Sequence, residues 1–141
     1  MGPNEIHRRQ HELFNSRNFD GFDEFMRADV TYEIVPQGRS VKGLGAVKDW
    51  LNIEWVSVFP NVRLHAETGT YLEGPGFSIA MLRLTGRNDG ALGSMPATGR
   101  EVDIPAWELL RLDDEGRTAS LSAHFDQLTF LTQLGQIPSP S

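Results

Sequence analysis

One glutamate lies among apolar residues in the second half of the chain, and its position indicates chemistry. A strand over residues 102–112 places Glu108 on an otherwise apolar face, with Val102, Ile104, Ala106, Leu110 and Leu112. A buried carboxylate is costly unless it is paired, hydrogen-bonded, protonated or open to a wet cavity. Apolar surroundings raise the pKa of a carboxyl group towards neutrality. We therefore predict that Glu108 moves a proton at a carbon next to a carbonyl group.

Two further polar residues, His124 and Asp126, are candidates for catalysis on the next predicted strand. They stand two apart and so share a face of that strand. A surface or dimer-interface position is favoured for His124. Asp126 stands at a strand-to-helix junction, where an aspartate commonly caps the helix, and this role is favoured for it over catalysis.

Other classes of chemistry lack support in the sequence. The chain has no cysteine, which excludes thiolate chemistry, and it has neither a GxSxG motif nor a glycine-rich phosphate loop. His7 and His11 are spaced to share a metal ion on the first predicted helix. Their neighbours Arg8, Arg9 and Glu12 favour a solvated face instead, and we predict no metal and no cofactor.

Charge and length limit the partners and the architecture. Thirteen basic and nineteen acidic residues give a net charge of −6, which disfavours nucleic acid and anionic membranes as partners. The N-terminus lacks the apolar core of a signal peptide, and no apolar run is long enough to span a bilayer, so we expect a soluble, cytoplasmic protein. The 141 residues predict a single domain over residues 1–141, with a frayed tail from residue 136 to residue 141.

Hydrophobic periodicity predicts helices first, then strands, then a closing helix, which is an α+β arrangement. The predicted helices cover residues 4–17, with Asn4 as N-cap, then residues 19–26, 46–58 and the C-terminal segment. The predicted strands cover residues 30–35, 62–71, 77–85, 102–112 and 120–126. A long loop over residues 86–99 is either mobile or a lid, with Met95 folding over a pocket mouth.

The C-terminal half carries the most specific motif. The segments TGREVDIPAWELLRLDDEGR and HFDQLTFLTQLGQIP resemble the SnoaL-like polyketide cyclases, which have the nuclear transport factor two fold. The upstream segments NFDGFDEFMRADVTYE, KGLGAVKDWL and VFPNVRL occur in the order that the family uses. The resemblance therefore covers nearly the whole chain.

The resemblance implies a cone-shaped fold, in which a curved antiparallel or mixed sheet wraps around the N-terminal helices and encloses an apolar cavity. Family members usually dimerise through the outer surface of the sheet, where Trp107 and Leu109 are expected. Characterised cyclases close a ring by a cofactor-free aldol step that uses a histidine and an aspartate. These positions correspond to Glu108 and Ala123, and the base of the related steroid isomerases corresponds to Ile34, so neither catalytic set is complete.

Two functions follow from these observations. The first is a cofactor-independent cyclase or isomerase that acts by general acid–base chemistry on an apolar polyketide- or terpenoid-like molecule. The alternative is a non-catalytic module of the same fold that binds a hydrophobic ligand or a protein. An open pocket at Glu108 would favour the enzyme, and neutralisation of Glu108 by Arg83 or Arg111 would favour the module. The residues predicted to bind the substrate are Phe14, Tyr32, Trp55, Phe59, Met81, Met95 and Phe125.

Overall fold

A computed structural model describes residues 1–138 and contains a curved, mixed sheet of seven strands, with helices that cover its concave face. The strands are β1 (Met26–Ile34), β2 (Arg39–Lys42), β3 (Arg63–Leu64), β4 (Thr70–Gly74), β5 (Phe77–Arg87), β6 (Glu101–Leu112) and β7 (Thr118–Phe125). Their order is β2-β1-β7-β6-β5-β3, and β4 also pairs with β5. Strands β1 and β7 are parallel, and the other neighbours are antiparallel. The predicted α+β class is confirmed.

Three α-helices accompany the sheet within residues 1–138. Helix α1 (Pro3–Asn15) begins one residue before the predicted Asn4 N-cap, because Gly2 occupies the capping position and Pro3 suits the first turn. Helix α2 (Leu44–Trp50) continues through π-helical turns (Leu51–Val56). Helix α3 (Gln127–Gln133) follows β7 directly.

Two predicted elements differ from the structure. The second predicted helix is a short 3-10 helix (Phe19–Glu24), and Met26 already belongs to β1. The predicted strand over residues 62–71 is divided into β3 and β4 by a 3-10 turn (Ala66–Thr68). In both places the apolar side chains still enter the core, so the pattern predicted burial correctly and the backbone conformation incorrectly.

The long hairpin β6–β7 positions the site. Glu108 lies opposite Ala80 of β5 on one side and opposite Ala123 of β7 on the other. Side chains alternate along β6, so that Ile104 and Leu110 are buried while Trp107 is exposed. The two alanines beside Glu108 leave space above the sheet at this point.

The core fills the concave side of the sheet and is rich in aromatic residues. Phe59, Trp55, Phe125 and Phe130 pack with ring centroids 5.6–6.4 Å apart between the second helix, the end of β7 and α3. This cluster closes one end of the concave side and separates it from α3.

The segment before β6, residues 88–100, packs against the end of the second helix. The Asn88 side chain donates to the backbone oxygen of Gly90 (2.8 Å) and accepts from the backbone and hydroxyl of Thr98 (3.0 and 2.8 Å). A Cβ atom at Gly90 would lie 1.8 Å from the Ser57 carbonyl oxygen, so only glycine fits this contact. The lid role of Met95 stays a prediction.

Within residues 1–138, no helix is long and apolar enough to cross a membrane. From residue 139 onwards, the tail that was predicted to fray lies outside the described residues.

Candidate active site

Glu108 is the centre of a buried polar cluster at the concave face of the sheet. Its side chain is 15% exposed, and its two carboxylate oxygens have three side-chain partners. His7 Nε2 and His11 Nε2 lie 2.8 and 2.9 Å from Oε1, and the Tyr32 hydroxyl donates to Oε2. The neutralising partners are therefore histidines of α1. Arg83, which had been considered for this role, instead pairs with Asp103.

Helix α1 supplies both histidines because residues four apart lie on the same face of a helix. His7 and His11 share that face with buried Ile6, Gln10 and Phe14, whereas Arg9 and Glu12 pair with each other at the surface. The predicted solvated face for the two histidines is therefore wrong. Local composition described the opposite side of the helix, and the partner, Glu108, lies 97 residues beyond His11 in the chain.

A directed chain of hydrogen bonds fixes the orientation of the His7 ring. The Asn4 amide group donates to the Tyr71 carbonyl oxygen (3.1 Å), so Asn4 Oδ1 accepts from the Ser78 hydroxyl (2.7 Å). Because that hydroxyl has given its hydrogen to Asn4, it accepts from His7 Nδ1 (2.9 Å). His7 Nδ1 thus carries a hydrogen, so Nε2 donates to Glu108 only when the ring carries a second proton, and the neutral ring presents a lone pair there.

His11 has a different second partner. Its Nδ1 lies 2.7 Å from the Tyr71 hydroxyl, and the Arg8 guanidinium lies over the Tyr71 ring, 4.2 Å from its centroid. Burial raises the pKa of Tyr71, which keeps the phenol protonated at neutral pH. The Tyr71 hydroxyl can donate to Nδ1 or accept from it, so His11 can carry its ring hydrogen on Nε2, towards Glu108, or on Nδ1, towards Tyr71.

The electrostatics of Glu108 differ from the prediction. Burial acts to raise the pKa of Glu108, but the hydrogen bonds and charges of His11 and His7 outweigh it and hold the pKa well below its usual range. The predicted rise is wrong, because α1 provides donors that the sequence of β6 does not reveal. Burial also lowers the pKa of His7 and raises that of Tyr32 well above its usual value. The cluster thus holds an ionised carboxylate beside a protonated phenol.

An apolar cavity of about 80 Å³ adjoins the cluster. Glu108, His11, Gln10 and Tyr32 form its polar part. The apolar lining includes Phe14, Phe22, Ile34, Trp50, Leu51, Trp55, Leu64, Leu82, Leu84, Ala106, Ala123 and Phe125. We call this space the inner cavity.

A second cavity of about 170 Å³, the α3 cavity, lies between the second helix, α3 and the segment before β6. It shares Trp50 and Trp55 with the inner cavity, so these two rings form the partition between the two spaces. A ligand longer than the inner cavity would pass this partition and reach Met95.

The structure brings most of the predicted binding residues together. Phe14, Tyr32, Trp55 and Phe125 line the inner cavity with Glu108. Phe59 and Met95 line the α3 cavity. Met81 does not reach either space: it pairs with Trp107 across β5 and β6, lies on the outer face and is 45% exposed. Its place was misjudged because the register of β5 against β6 decides which face it takes.

His124 and Asp126 lie outside the inner cavity. The His124 ring stacks on Trp107 at the outer face, with centroids 3.8 Å apart and planes 2° apart. Asp126 accepts hydrogen bonds from the backbone of Leu128 (3.0 Å) and Thr129 (3.2 Å) and therefore caps α3. The favoured capping role is confirmed, and neither residue contacts Glu108 within the described structure.

Sequence reasoning missed His7, His11, Tyr71 and Ser78 as members of the site. One signal was available for the histidines, since His7, His11 and Phe14 follow the i, i+4, i+7 spacing of a single helix face. Within residues 1–138, His7, His11 and Glu108 also form a group whose ligand atoms lie within 4.8 Å of one another, as a metal ion requires.

Comparison with known proteins identifies the relatives of this fold. The family model described as SnoaL-like polyketide cyclase matches residues 4–134. No functionally curated protein matches the chain.

Solved structures agree with the family model. A SnoaL-like polyketide cyclase candidate from Jannaschia sp. CCS1 is 20% identical with a TM-score of 0.81, and the match covers 95% of this chain and 92% of that one. A SnoaL-like polyketide cyclase from Agrobacterium tumefaciens is 20% identical with a TM-score of 0.75, covering 96% and 100%. A Catenulispora acidiphila protein with a ketosteroid isomerase-like fold is 18% identical with a TM-score of 0.75, covering 95% of each chain.

Proposed function

The chain belongs to the SnoaL-like polyketide cyclase family, and from that premise we propose that it is a cyclase- or isomerase-type enzyme. Its substrate is an apolar polyketide- or terpenoid-like molecule, on which it moves a proton. One observation carries the proposal: the Glu108 carboxylate and the Tyr32 hydroxyl meet at an apolar cavity. A few convergent polar groups in a mostly apolar pocket are typical of a small-molecule site.

Glu108 is the base of the proposed reaction. Its lowered pKa makes the ionised carboxylate the form that meets the substrate. A C–H bond next to a substrate carbonyl breaks, its proton goes to Glu108, and its electron pair moves into an enolate. Return of the proton to another carbon gives an isomer. Attack of the enolate carbon on a second carbonyl closes a ring instead, and the alkoxide that forms takes the proton back from Glu108.

Tyr32 and the histidines stabilise the charges of this step. The Tyr32 phenol stays protonated and can donate to the enolate oxygen. His7 and His11 hold the Glu108 carboxylate in place from the side away from Tyr32, on the other carboxylate oxygen. Because Ala123 stands opposite Glu108, the aspartate of the aldol cyclases has no counterpart, and Glu108 works without it.

A polyketide- or terpenoid-sized substrate would have to span both cavities. The inner cavity alone is smaller than the 300–1,000 Å³ or so that is usual for ligand sites. Rotation of Trp55 at the partition would join it to the α3 cavity. The reacting carbonyl would then lie at Glu108 and the apolar remainder near Met95.

The alternative is a module that binds a hydrophobic ligand without turnover. The specific observation in its favour is that the Glu108 carboxylate already has three hydrogen-bonding partners, which makes it a weak base. Both functions require a hydrophobic ligand to bind in the same cavity, and only the enzyme transfers a proton.

Deuterium exchange separates the two functions without knowledge of the full reaction. Apolar polycyclic ketones would be incubated with the protein in D₂O, and mass spectrometry would measure deuterium at carbons next to the carbonyl. The proposal predicts exchange that depends on the protein and falls at least about a hundredfold in Glu108→Gln. Glu101→Gln, the same substitution on the same strand but at an exposed position, should exchange at the wild-type rate. Ketone binding without exchange would identify the module.

The outer face of the sheet supports a second part of the proposal, a homodimer. Trp107 is 42% exposed and stacks on His124, and Met81 lies beside it. These side chains form an apolar patch that a second copy of the chain would cover.

A further inference from the structure

We propose that His7, His11 and Glu108 bind one divalent transition-metal ion of the zinc or iron(II) type. The protein ligands would be His7 Nε2, His11 Nε2 and Glu108 Oε1, and the remaining coordination positions would face the inner cavity. Binding of the ion does not depend on the proposed function. Its effect on turnover rests on that function and replaces the expectation of a cofactor-free enzyme.

The distances between the three atoms suit a metal ion. Two neighbouring ligand atoms that each lie about 2.1 Å from an ion are about 3.0 Å apart in octahedral geometry and about 3.4 Å apart in tetrahedral geometry. His7 Nε2 and His11 Nε2 lie 2.8 and 2.9 Å from Glu108 Oε1. Two imidazoles and one carboxylate with open positions form the donor set of many zinc and non-haem iron sites.

The direction of the hydrogen bonds at His7 supplies an independent reason. The chain through Asn4 and Ser78 places the ring hydrogen on Nδ1, so the Nε2 lone pair points at a carboxylate oxygen. Two lone pairs at 2.8 Å repel each other unless a cation lies near both. His11 Nε2 lies 2.9 Å from the same carboxylate oxygen, so one metal ion would serve both rings, whereas a proton on His7 would serve only one.

The surroundings also match those of a metal site. Histidines that bind metals usually direct their second nitrogen to a polar group that fixes the ring. Here Ser78 orients His7 and Tyr71 orients His11, while Tyr32 holds the free carboxylate oxygen of Glu108. The ligand atoms of His7, His11 and Glu108 already lie within 4.8 Å of one another, so neither ring needs a large rearrangement to reach the ion.

The open positions of the ion would face the substrate. Glu108, His11 and Tyr32 line the inner cavity, whereas His7 lies behind them. A bound ion would polarise the carbonyl oxygen of a ligand in this cavity and so stabilise the enolate of the proposed reaction.

Calorimetry on tag-free, chelator-treated protein tests the site directly. ZnCl₂ and CoCl₂ would be titrated separately, and the visible absorption of Co²⁺ would report its ligands. We expect one ion per chain, bound with a dissociation constant in the micromolar range or tighter. Glu108→Gln and His11→Gln should each weaken binding at least about a hundredfold, and Ser78→Ala about tenfold. His65→Gln, which removes a histidine whose partners are Glu67 and Thr85 rather than Glu108, should leave the affinity unchanged.

Two results would overturn the inference: wild-type affinity weaker than roughly 100 μM, or an affinity that Glu108→Gln and Ser78→Ala leave unchanged. If Glu108→Gln fails to fold, Ser78→Ala and the Co²⁺ spectrum of the wild type still decide the question. Deuterium exchange by the chelator-treated protein, together with an absence of metal binding, would overturn the inference and leave the proposed function standing. Metal binding without deuterium exchange would support the metal site and contradict the proposed function.

Discussion

Histidine rings contact both faces of the β6–β7 hairpin, but one face is buried and the other is partly exposed to solvent. On the inner face, His7 and His11 contact Glu108 with almost no exposure to water. On the outer face, His124 stacks on Trp107, which is 42% exposed to solvent. Trp107 directly precedes Glu108 in the chain. Two adjacent residues of β6 therefore belong to different environments: Glu108 to a buried polar cluster and Trp107 to an exposed apolar patch.

This difference teaches that burial and partners, rather than residue type, decide what a histidine does here. A charge-assisted hydrogen bond away from water is worth more than the same contact at the surface. The inner cluster is therefore expected to control stability and chemistry. The outer stack is expected to control association with a second copy.

The largest expected effect is that of Glu108→Gln on stability. The amide nitrogen that replaces one carboxylate oxygen cannot accept a hydrogen bond, so the donor that faces it, Tyr32 or His11, loses its acceptor. We expect the free energy of unfolding to fall by roughly 2–4 kcal/mol. Urea unfolding followed by tryptophan fluorescence would measure it, with Glu101→Gln as the matched variant of unchanged stability. Equal stability of the two variants would mean that the hydrogen bonds of Glu108 do not contribute to the free energy of unfolding.

Trp107→Asp should act on assembly. A charge in the apolar outer patch would oppose the proposed dimer, and we expect the dimer to weaken at least about tenfold, equal to about 1.4 kcal/mol. Light scattering over a dilution series would measure the mass. A wild-type protein that is already monomeric at micromolar concentration would exclude the dimer.

Asp126→Ala should lower the melting temperature by a few degrees through loss of the α3 cap. The hydroxyl and backbone of Thr129, with the backbone of Leu128, lower the pKa of Asp126. The contribution of a group with a lowered folded pKa is complete above its unfolded pKa of about 3.9 and is lost as the pH falls through the folded value. The gap between wild type and variant should therefore be constant near neutrality and shrink below about pH 4. An unchanged melting temperature with lost exchange activity would instead make Asp126 catalytic.

The smallest effect is expected from His124→Gln. The ring stacks on Trp107 at a partly exposed surface, and stability should change by no more than about 0.5 kcal/mol. Deuterium exchange should be unaffected, because the ring faces away from the inner cavity. A large loss of exchange would move the active site to the outer face.

The sequence predicted those parts of the molecule that depend on local pattern. Alternation along β6 placed Glu108 inward and Trp107 outward, and the strand-to-helix junction predicted the Asp126 cap. What it could not predict depends on contacts between distant segments. His7 meets Glu108 across 101 residues, so neither the burial of α1 nor the lowered pKa of Glu108 is visible in the neighbouring residues. Met81 was misplaced for the same reason, because pairing with β6 fixes its face.

A crystal structure with an apolar ketone that the wild-type protein binds in solution tests the central claim most directly. The account predicts that the ketone oxygen lies within about 3.2 Å of Tyr32 Oη or of a cation held by Glu108, with the carbon next to the carbonyl facing the Glu108 carboxylate. The rest of the molecule should lie along the partition of Trp50 and Trp55 towards Met95. A ketone found instead on the outer face, beside Trp107 and His124, with the inner cavity unchanged, would contradict the account.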